Sequence, residues 1–334
     1  MGKAKVKWGV LSTAKIGIEK VVPAMQKGAH MEIIGIASRD KIKARKVAKT
    51  LGIPKYYDSY NALISDPEVE AIYNPLPNHL HYEWTKEAIQ HGKHVLCEKP
   101  LTLKSHEIRE LMILRDAKNV KVGEAFMVRT HPQWIDVAAR INRGELGKLR
   151  AIHGFFSYYK TDPENIRNIF DYGGGAMWDI GCYPVHIARF ILGEEPQKVL
   201  ALVDRDPELK IDRLASVLLD FPSGQCNFTV STQLVPHQSM IFYGEQKKIE
   251  VDIPFNAPND RKCKLFIDGG DLYGLDKEEI SFDVCDQYTV QGEEFSNAIL
   301  RDGEVPVSLE NALGNVAAIE AIFESERTGN WVEL

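Results

Sequence analysis

Cysteine is scarce and scattered. The 334 residues contain five, Cys97, Cys182, Cys226, Cys263 and Cys285, and none forms a Cys-x-x-Cys pair. An odd, dispersed set excludes a disulfide framework and reads as reduced thiols in a cytoplasm. Zinc ligands are also lacking. His79-x-His81 and His91-x-x-His94 have no further ligands at metal spacing, so no metal is expected. There is no cationic excess: 41 Lys and Arg stand against 47 Asp and Glu, a net charge of −6. No basic patch stands out, which argues against a nucleic-acid partner. No apolar run approaches the roughly 18 residues of a membrane span, so no membrane partner is expected. Repeats and low-complexity tracts are absent, and Met1-Gly2-Lys3-Ala4-Lys5 leads straight into a strand, without the pattern of a signal peptide. What remains is an ordinary globular composition, 44% hydrophobic and 26% charged, in a chain long enough for two domains.

The first third alternates strands and helices, the mark of a parallel sheet. Strands are expected at 6–11, 32–37, 71–73, 94–97 and 120–126. Between them come helices from near Ala14 toward Lys27, with Pro23 expected to kink or end it, from Asp40 to Leu51, and from an Asn78 cap to Gly92. On the last of these, Leu80, Trp84 and Ala88 form the expected buried stripe. From Lys198 to Val284 short strands with Gly and Pro turns predict a mainly antiparallel sheet, and helices follow at 287–300 and 309–327, the last capped by Ser308. The fold class is therefore α/β. An N-terminal Rossmann dinucleotide-binding domain is read over 1–125, and a C-terminal α+β domain with a large, mainly antiparallel open sheet over 126–334. The 309–327 helix is left free to pack back on the first domain.

Two stretches carry chemistry. Ser12-Thr13-Ala14-Lys15-Ile16-Gly17 has the spacing of the dinucleotide fingerprint, with Ser12 and Ala14 in place of two glycines. Small residues let the backbone approach a pyrophosphate at a helix N-terminus, and Gly17 allows close packing; a plain tight turn is the alternative. The second strand ends Ala37-Ser38-Arg39, about 20 residues on, where NAD enzymes usually place an acid. Ser38 can donate a hydrogen bond and Arg39 can grip a 2′-phosphate, which favours NADP(H) while leaving NAD(H) open. The second stretch is His94-Val95-Leu96-Cys97-Glu98-Lys99-Pro100. A lysine where a parallel strand leaves the sheet lies at the crevice in which such sheets bind ligands. Partly buried there, it can tune the acidity of a neighbouring hydroxyl; the alternative is a solvated Glu98–Lys99 pair.

With Asn74-Pro75-Leu76-Pro77-Asn78-His79-Leu80-His81, Arg129-Thr130-His131-Pro132 and Gly173-Gly174-Gly175-Ala176-Met177-Trp178-Asp179-Ile180-Gly181-Cys182-Tyr183-Pro184-Val185-His186, these segments resemble the glucose-fructose oxidoreductase / inositol dehydrogenase (Gfo/Idh/MocA) family, in family order along nearly the whole chain. The Ser-x-Ala loop with Tyr183 looks most like NADP-dependent D-xylose dehydrogenases and dimeric dihydrodiol dehydrogenases. The resemblance implies that Asn74, Pro75, Leu76, Asn78 and His79 line the cofactor crevice, beside Ser12, Thr13, Ala14, Lys15 and Ile16, and that Glu98 and Lys99 lie beside the nicotinamide. Where inositol dehydrogenase-like members carry a histidine four residues after the Asp, this chain has Tyr183, so that role is not copied onto His186.

Alcohol oxidation needs hydride loss to a nicotinamide and proton loss to a base. Tyr183 and Lys99 can supply the second step, since a nearby ammonium favours tyrosinate. Asp179 would orient a substrate hydroxyl or Lys99, or else charge-stabilise a helix start. His186, three residues beyond Tyr183, is a substrate contact or a core histidine; Arg167, Tyr158, Tyr159 and His131 are candidates for the substrate pocket. The expected activity is NADP-dependent oxidation of a sugar, first an aldose C1 hydroxyl of D-xylose type. The alternatives are trans-dihydrodiol oxidation, dicarbonyl or anhydrofructose-type reduction, and a dinucleotide-binding regulatory sensor. Lacking the arm and export signal of glucose-fructose oxidoreductase, the chain is expected to exchange its cofactor. Alternating apolar residues such as Val199, Ala201 and Val203 leave one sheet face for a partner, so a homodimer is expected, with pairing into tetramers left open.

Overall fold

The computed structural model describes residues 4–334; Met1, Gly2 and Lys3, where the N-terminal reading began, lie outside the described residues. The chain divides into two compact units. One runs up to Thr130 and includes Asp286–Leu313; the other comprises His131–Cys285 and Gly314–Leu334.

The first unit is built on β1 (Val6–Leu11), β2 (Met31–Ala37), β3 (Lys55–Tyr57), β4 (Ala71–Asn74), β5 (His94–Cys97) and β6 (Val122–Glu124), all parallel, in the order β3-β2-β1-β4-β5-β6. Strand order reverses between β1 and β4, and in such sheets the crevice outside the carboxyl ends at that point takes the ligand. The strands are short apolar runs because helices cover both faces. Trp8 and Val10 of β1 and Ile72 and Tyr73 of β4 are fully buried.

Helix α1 follows β1 and is π-wound over Gly17–Val21, then α-helical over Val22–Met25. Pro23 therefore neither ends the helix nor strips it of a needed donor. The Val22 N–H reaches back to the Gly17 carbonyl, and the proline falls at the start of the α turn, where a missing N–H is tolerated. Next come α2 (Lys41–Leu51), α3 (Tyr60–Ile64), α4 (Asn78–Gln90) and α5 (Ser105–Lys118). β3 and α3, of three and five residues, are too short to leave a periodic signal in the sequence. Two expectations fail on α4. Its N-cap is Pro77 rather than Asn78, which is already helical. Its inner face is His81, Thr85, Ala88 and Ile89, while Leu80 and Trp84 are only half-buried.

The second unit holds α6 (Pro132–Asn142), β7 (Leu149–Tyr159) and α7, which is π-wound over Met177–Gly181 and α-helical over Cys182–Leu192. β8 (Lys198–Arg205), β9 (Asp212–Asp220), β10 (Gln225–Ser231), β11 (Gln233–Gly244), β12 (Lys248–Val251), β13 (Cys263–Asp268) and β14 (Glu278–Phe282) follow. Together with the terminal β15 (Val332–Glu333) they make a nine-stranded sheet in the order β14-β13-β12-β11-β7-β10-β9-β8-β15, antiparallel except at β7 and β10. One face buries Ile152, Phe156, Val217, Phe228 and Phe242; Gly154 on β7 lies against Pro184 of α7.

The last helices are α8 (Gln287–Leu300) and α9 (Leu309–Thr328), with Ser308 Oγ accepting from Asn311 N–H at 3.4 Å as the expected cap. The division at 125/126 differs from the observed one, because Asp286–Leu313 belongs to the first unit. It is α8, more than the 309–327 helix, that closes that core. Phe295 is 1% exposed with its ring 5.6 Å from that of Trp8, and Trp8 Nε1 donates to Ser296 Oγ.

Candidate active site

In the first unit the turn after β1 opens with Ser12 at φ 70°, a left-handed conformation that glycine adopts freely and other residues adopt at a cost of about 1 kcal/mol or more. Its hydroxyl accepts from Ala14 N–H at 3.1 Å, which offsets part of that strain and fixes the turn. Ser12 thus performs the turn for which the fingerprint uses glycine. Thr13 is buried, and Lys15 and Ile16 begin the helix, whose first N–H groups point toward any anion placed there. Gly17 is less demanding than expected, since an added Cβ would lie 3.4 Å from Pro75, an ordinary contact.

At the end of β2, Ser38 is buried and its hydroxyl accepts from Asp40 N–H at 3.2 Å. One Asp40 carboxylate oxygen accepts from both Ile42 and Lys43 N–H, at 2.9 and 3.0 Å, as the N-cap of α2. That acid is occupied as a cap. Arg39 is exposed, with its guanidinium at the Tyr60 hydroxyl, where it opposes the upward push of burial on the phenol. The residues fit a dinucleotide: a tight turn at a helix start, and a cation rather than a carboxylate at the ribose end.

Lys99 is half-buried in a turn fastened on three sides. Before it, Tyr73 OH donates to Glu98 Oε1 at 2.7 Å. After it, the Pro100 carbonyl faces His81 Nδ1 at 2.7 Å, and Leu101 N–H donates to Glu124 Oε1 at 2.7 Å. His81 Nε2 also faces the Leu76 carbonyl at 2.5 Å, so one imidazole joins the loops after β4 and β5. Burial drives that ring toward its neutral form, its pKa pushed down to about 4, and a neutral ring donates to one carbonyl at a time. Asn74, fully buried, accepts from Leu76 N–H and donates to the His81 carbonyl and to Thr85. Asn74, Pro75 and Leu76 therefore shape this loop from within. Asn78 and His79 begin α4, half-buried.

In the second unit Asp179 lies in the π-wound turn of α7 with its side chain 14% exposed. It accepts from Tyr158 OH at 2.5 Å and from Arg167 Nε at 3.1 Å. The charge of Asp179 holds Arg167 firmly cationic, and Tyr183 is within electrostatic reach of the same guanidinium. Burial, then Asp179, pushes the Tyr158 phenol far above its ordinary value, so Tyr158 is a donor and not a base. Tyr183 is 6% exposed, its ring 5.9 Å from Phe156 and 5.4 Å from Phe255. The structure thus gathers Tyr158, Arg167, Asp179 and Tyr183. His186 is completely buried in α7. His131 is buried as the N-cap of α6, accepting from Gln133 N–H at 3.3 Å, with its pKa pushed down to about 4 by burial. Tyr159 is exposed. Sequence reasoning missed Tyr73, His81 and Glu124 as the fastenings of Lys99, and Asp212, which holds the start of α7. Tyr73 adjoins Asn74 at a strand end; the others act from distant segments and leave no local signal.

Comparison with known proteins gives these two halves a common setting. Residues 6–126 match the oxidoreductase family with an NAD-binding Rossmann fold, and residues 134–250 match the GFO/IDH/MocA C-terminal domain. An uncharacterized oxidoreductase of Rhizobium meliloti is 42% identical over 328 residues, 98% of each chain. D-xylose 1-dehydrogenase (NADP(+)) 2 of Haloferax volcanii is 36% identical over 334 residues, covering 98% of this chain and 99% of its own. Among solved structures, a 3-ketoreductase from Actinomadura kijaniata in complex with NADP and TDP-benzene superposes with a TM-score of 0.90 at 26% identity, over 96% of this chain and 98% of its own. Matched across both of its parts, the chain belongs to the Gfo/Idh/MocA family of oxidoreductases.

Proposed function

We propose that the protein is an NADP-preferring dehydrogenase acting on the CH–OH group of a sugar, with an aldose C1 hydroxyl of D-xylose type as the first substrate. The observation that carries the reading is the half-buried Lys99, in a turn whose neighbouring residues are held by Tyr73, His81 and Glu124 at the carboxyl end of a parallel strand. Three fastenings around one lysine suit a group that must meet a small substrate oxygen in one place. Ser12–Ile16, Ser38 and Arg39 would hold the dinucleotide, which would accept the hydride in oxidation and supply it in reduction. The remaining work falls to side chains. Lys99 hydrogen-bonds the substrate oxygen, Tyr183 takes its proton in oxidation and returns it in reduction, and Asp179 with Arg167 orients a neighbouring hydroxyl. The preference for NADP is supported by an exposed Arg39 beside an Asp40 already spent as a helix cap, and by the 36% identical NADP-dependent relative. The similarity to a 3-ketoreductase supports a reductive direction as the second reading.

The second sheet is proposed to pair two copies of the chain in a homodimer. Leu202 and Val235, 78% and 75% exposed, with Leu218 and Tyr243 less so, leave much apolar surface on its strands. A monomer mass by light scattering at micromolar concentration would refute it. For the activity, the purified protein is mixed with NADP+ and a panel of aldoses, cyclitols and dihydrodiols, and NADPH is followed. Turnover of an aldose that Lys99→Met abolishes is the expected result. Dicarbonyl reduction by NADPH would favour the reductase reading. NADP+ binding without turnover of any of them would favour a regulatory sensor.

A further inference from the structure

Asp212 opens β9 and is 1% exposed. Its Oδ2 accepts from the Met177 N–H at 2.6 Å, the first residue of the π-wound turn that carries Asp179. Its Oδ1 fills the space beside Gly175, where a Cβ built on that glycine would lie 1.9 Å away. Gly175 also has φ +112°, a conformation closed to ordinary side chains. The last glycine of the Gly173-Gly174-Gly175 run is thus required to admit this carboxyl.

A buried carboxyl is costly unless its neighbours compensate it. Among the described residues Asp212 has no ion pair. Arg205, its register partner on β8, is taken by Glu326 of α9 through two bonds of 2.6 Å. Burial pushes the Asp212 pKa up to about 7, and its oxygens accept the Met177 N–H in either protonation state. A serine or asparagine at the helix start would cap more cheaply. What a strand-borne carboxyl adds is reach, because it ties the first turn of α7 to the sheet instead of to its own loop.

We propose that Asp212 is a positioning residue of the reaction: by holding the Met177 N–H in the notch left by Gly175, it sets the first turn of α7 and with it the placement of Asp179 and Tyr183. This rests on the roles given to Tyr183 and Asp179 above. Asp212 is 1% exposed and acts through the Met177 N–H, so its effect belongs in kcat and in the order of the turn, not in cofactor affinity.

The test compares Asp212→Ala with Asp212→Asn, which keeps an acceptor oxygen of the same length. Amide hydrogen exchange over 173–183 is read in both, alongside kcat, KM for D-xylose and NADP+ affinity. Asp212→Ala is expected to speed exchange there at least tenfold and to lower kcat roughly 10–100-fold, the cost of leaving the buried Met177 N–H without its acceptor, with NADP+ affinity within about twofold of wild type. Asp212→Asn is expected to restore both readouts to within about threefold. Unchanged exchange in Asp212→Ala, or an equal loss of kcat in Asp212→Asn, would overturn the proposal. If Asp212→Ala does not fold, Asp212→Ser, too short to reach Met177, is read in its place. Tyr183→Phe separates the two levels. If it leaves kcat intact, the acid–base reading fails and this proposal falls with it. If it abolishes turnover while Asp212→Ala does not lower kcat, only the positioning role is lost. Should D-xylose not be turned over, the exchange measurement decides whether Asp212 holds the turn.

Discussion

Replacing Arg39 by alanine should separate the two nicotinamide cofactors. The guanidinium stands exposed at the end of β2, and the acid next to it caps α2 through two backbone bonds. A planar fork gripping a 2′-phosphate makes charge-assisted hydrogen bonds worth about 1.5–3 kcal/mol. At about 1.4 kcal/mol per tenfold, that is a 10- to 100-fold rise in the Kd for NADP+. NAD+ has no such phosphate, and Asp40 is already used, so the Kd for NAD+ should stay within about twofold. The contribution is partly solvent-exposed, so raising salt from 0.05 to roughly 0.5 M should weaken NADP+ binding to the wild type and flatten in Arg39→Ala. Titration by fluorescence at both salt concentrations, with both cofactors, measures all of this. An unchanged NADP+ affinity in Arg39→Ala would refute the reasoning and make Arg39 a solvated surface charge held by Tyr60.

Acid should unfold this protein partly through its buried imidazoles. His81 and His131 both have folded pKa values near 4, below the ordinary 6.5, so the unfolded chain binds more protons and stability falls as pH drops from about 6.5 to 4. His131→Asn retains a side-chain acceptor for the α6 cap and removes one titration; urea midpoints between pH 4.5 and 7 should depend less steeply on pH, and an unaltered slope would count against this origin. Phe295→Ala should cost about 3–5 kcal/mol in urea unfolding, because the ring is fully enclosed against Trp8. A cost below about 1 kcal/mol would mean that α8 does not help to close the first unit's core.

Five of the six strands of the parallel sheet were legible because each is a short apolar run framed by a helix, and period and length together identify it; β3 was not. Boundaries of β1, β5 and α8 agree with the sequence reading to the residue. α4 shows why pattern fails near a site. Hydrophobic spacing picks Leu80, Trp84 and Ala88, but the helix turns His81 and Thr85 inward, where they serve Asn74 and the two loops. Polar residues bought their burial there through hydrogen bonds, which no hydropathy period records. The same blindness covers the return of Asp286–Leu313 to the first unit, since chain order says nothing about which core an amphipathic helix will join. Lys99, Tyr183 and Asp179 were singled out by motifs and the family resemblance they carry, whereas the groups packed around them come from far away in sequence: Glu124 for the Lys99 turn, Tyr158 for Asp179 and Asp212 for Met177.

Both α1 and α7 begin with a π-wound turn, over Gly17–Val21 and Met177–Gly181. Such a turn holds one residue more than ordinary winding requires, the trace of a single-residue insertion in an α-helix. Each α-helical residue advances the side chains by about 100°. Removing one residue between Met177 and Gly181 would let the segment rewind as ordinary α-helix, with the loop-side groups still in phase with the helix body that carries Tyr183, and would redistribute the remaining side chains, Asp179 among them, around the turn. Variation in this segment is limited less by which residues it contains than by how many. Substitutions can be absorbed one at a time, whereas a one-residue deletion would move Asp179 away from Tyr158 and Arg167 in a single step.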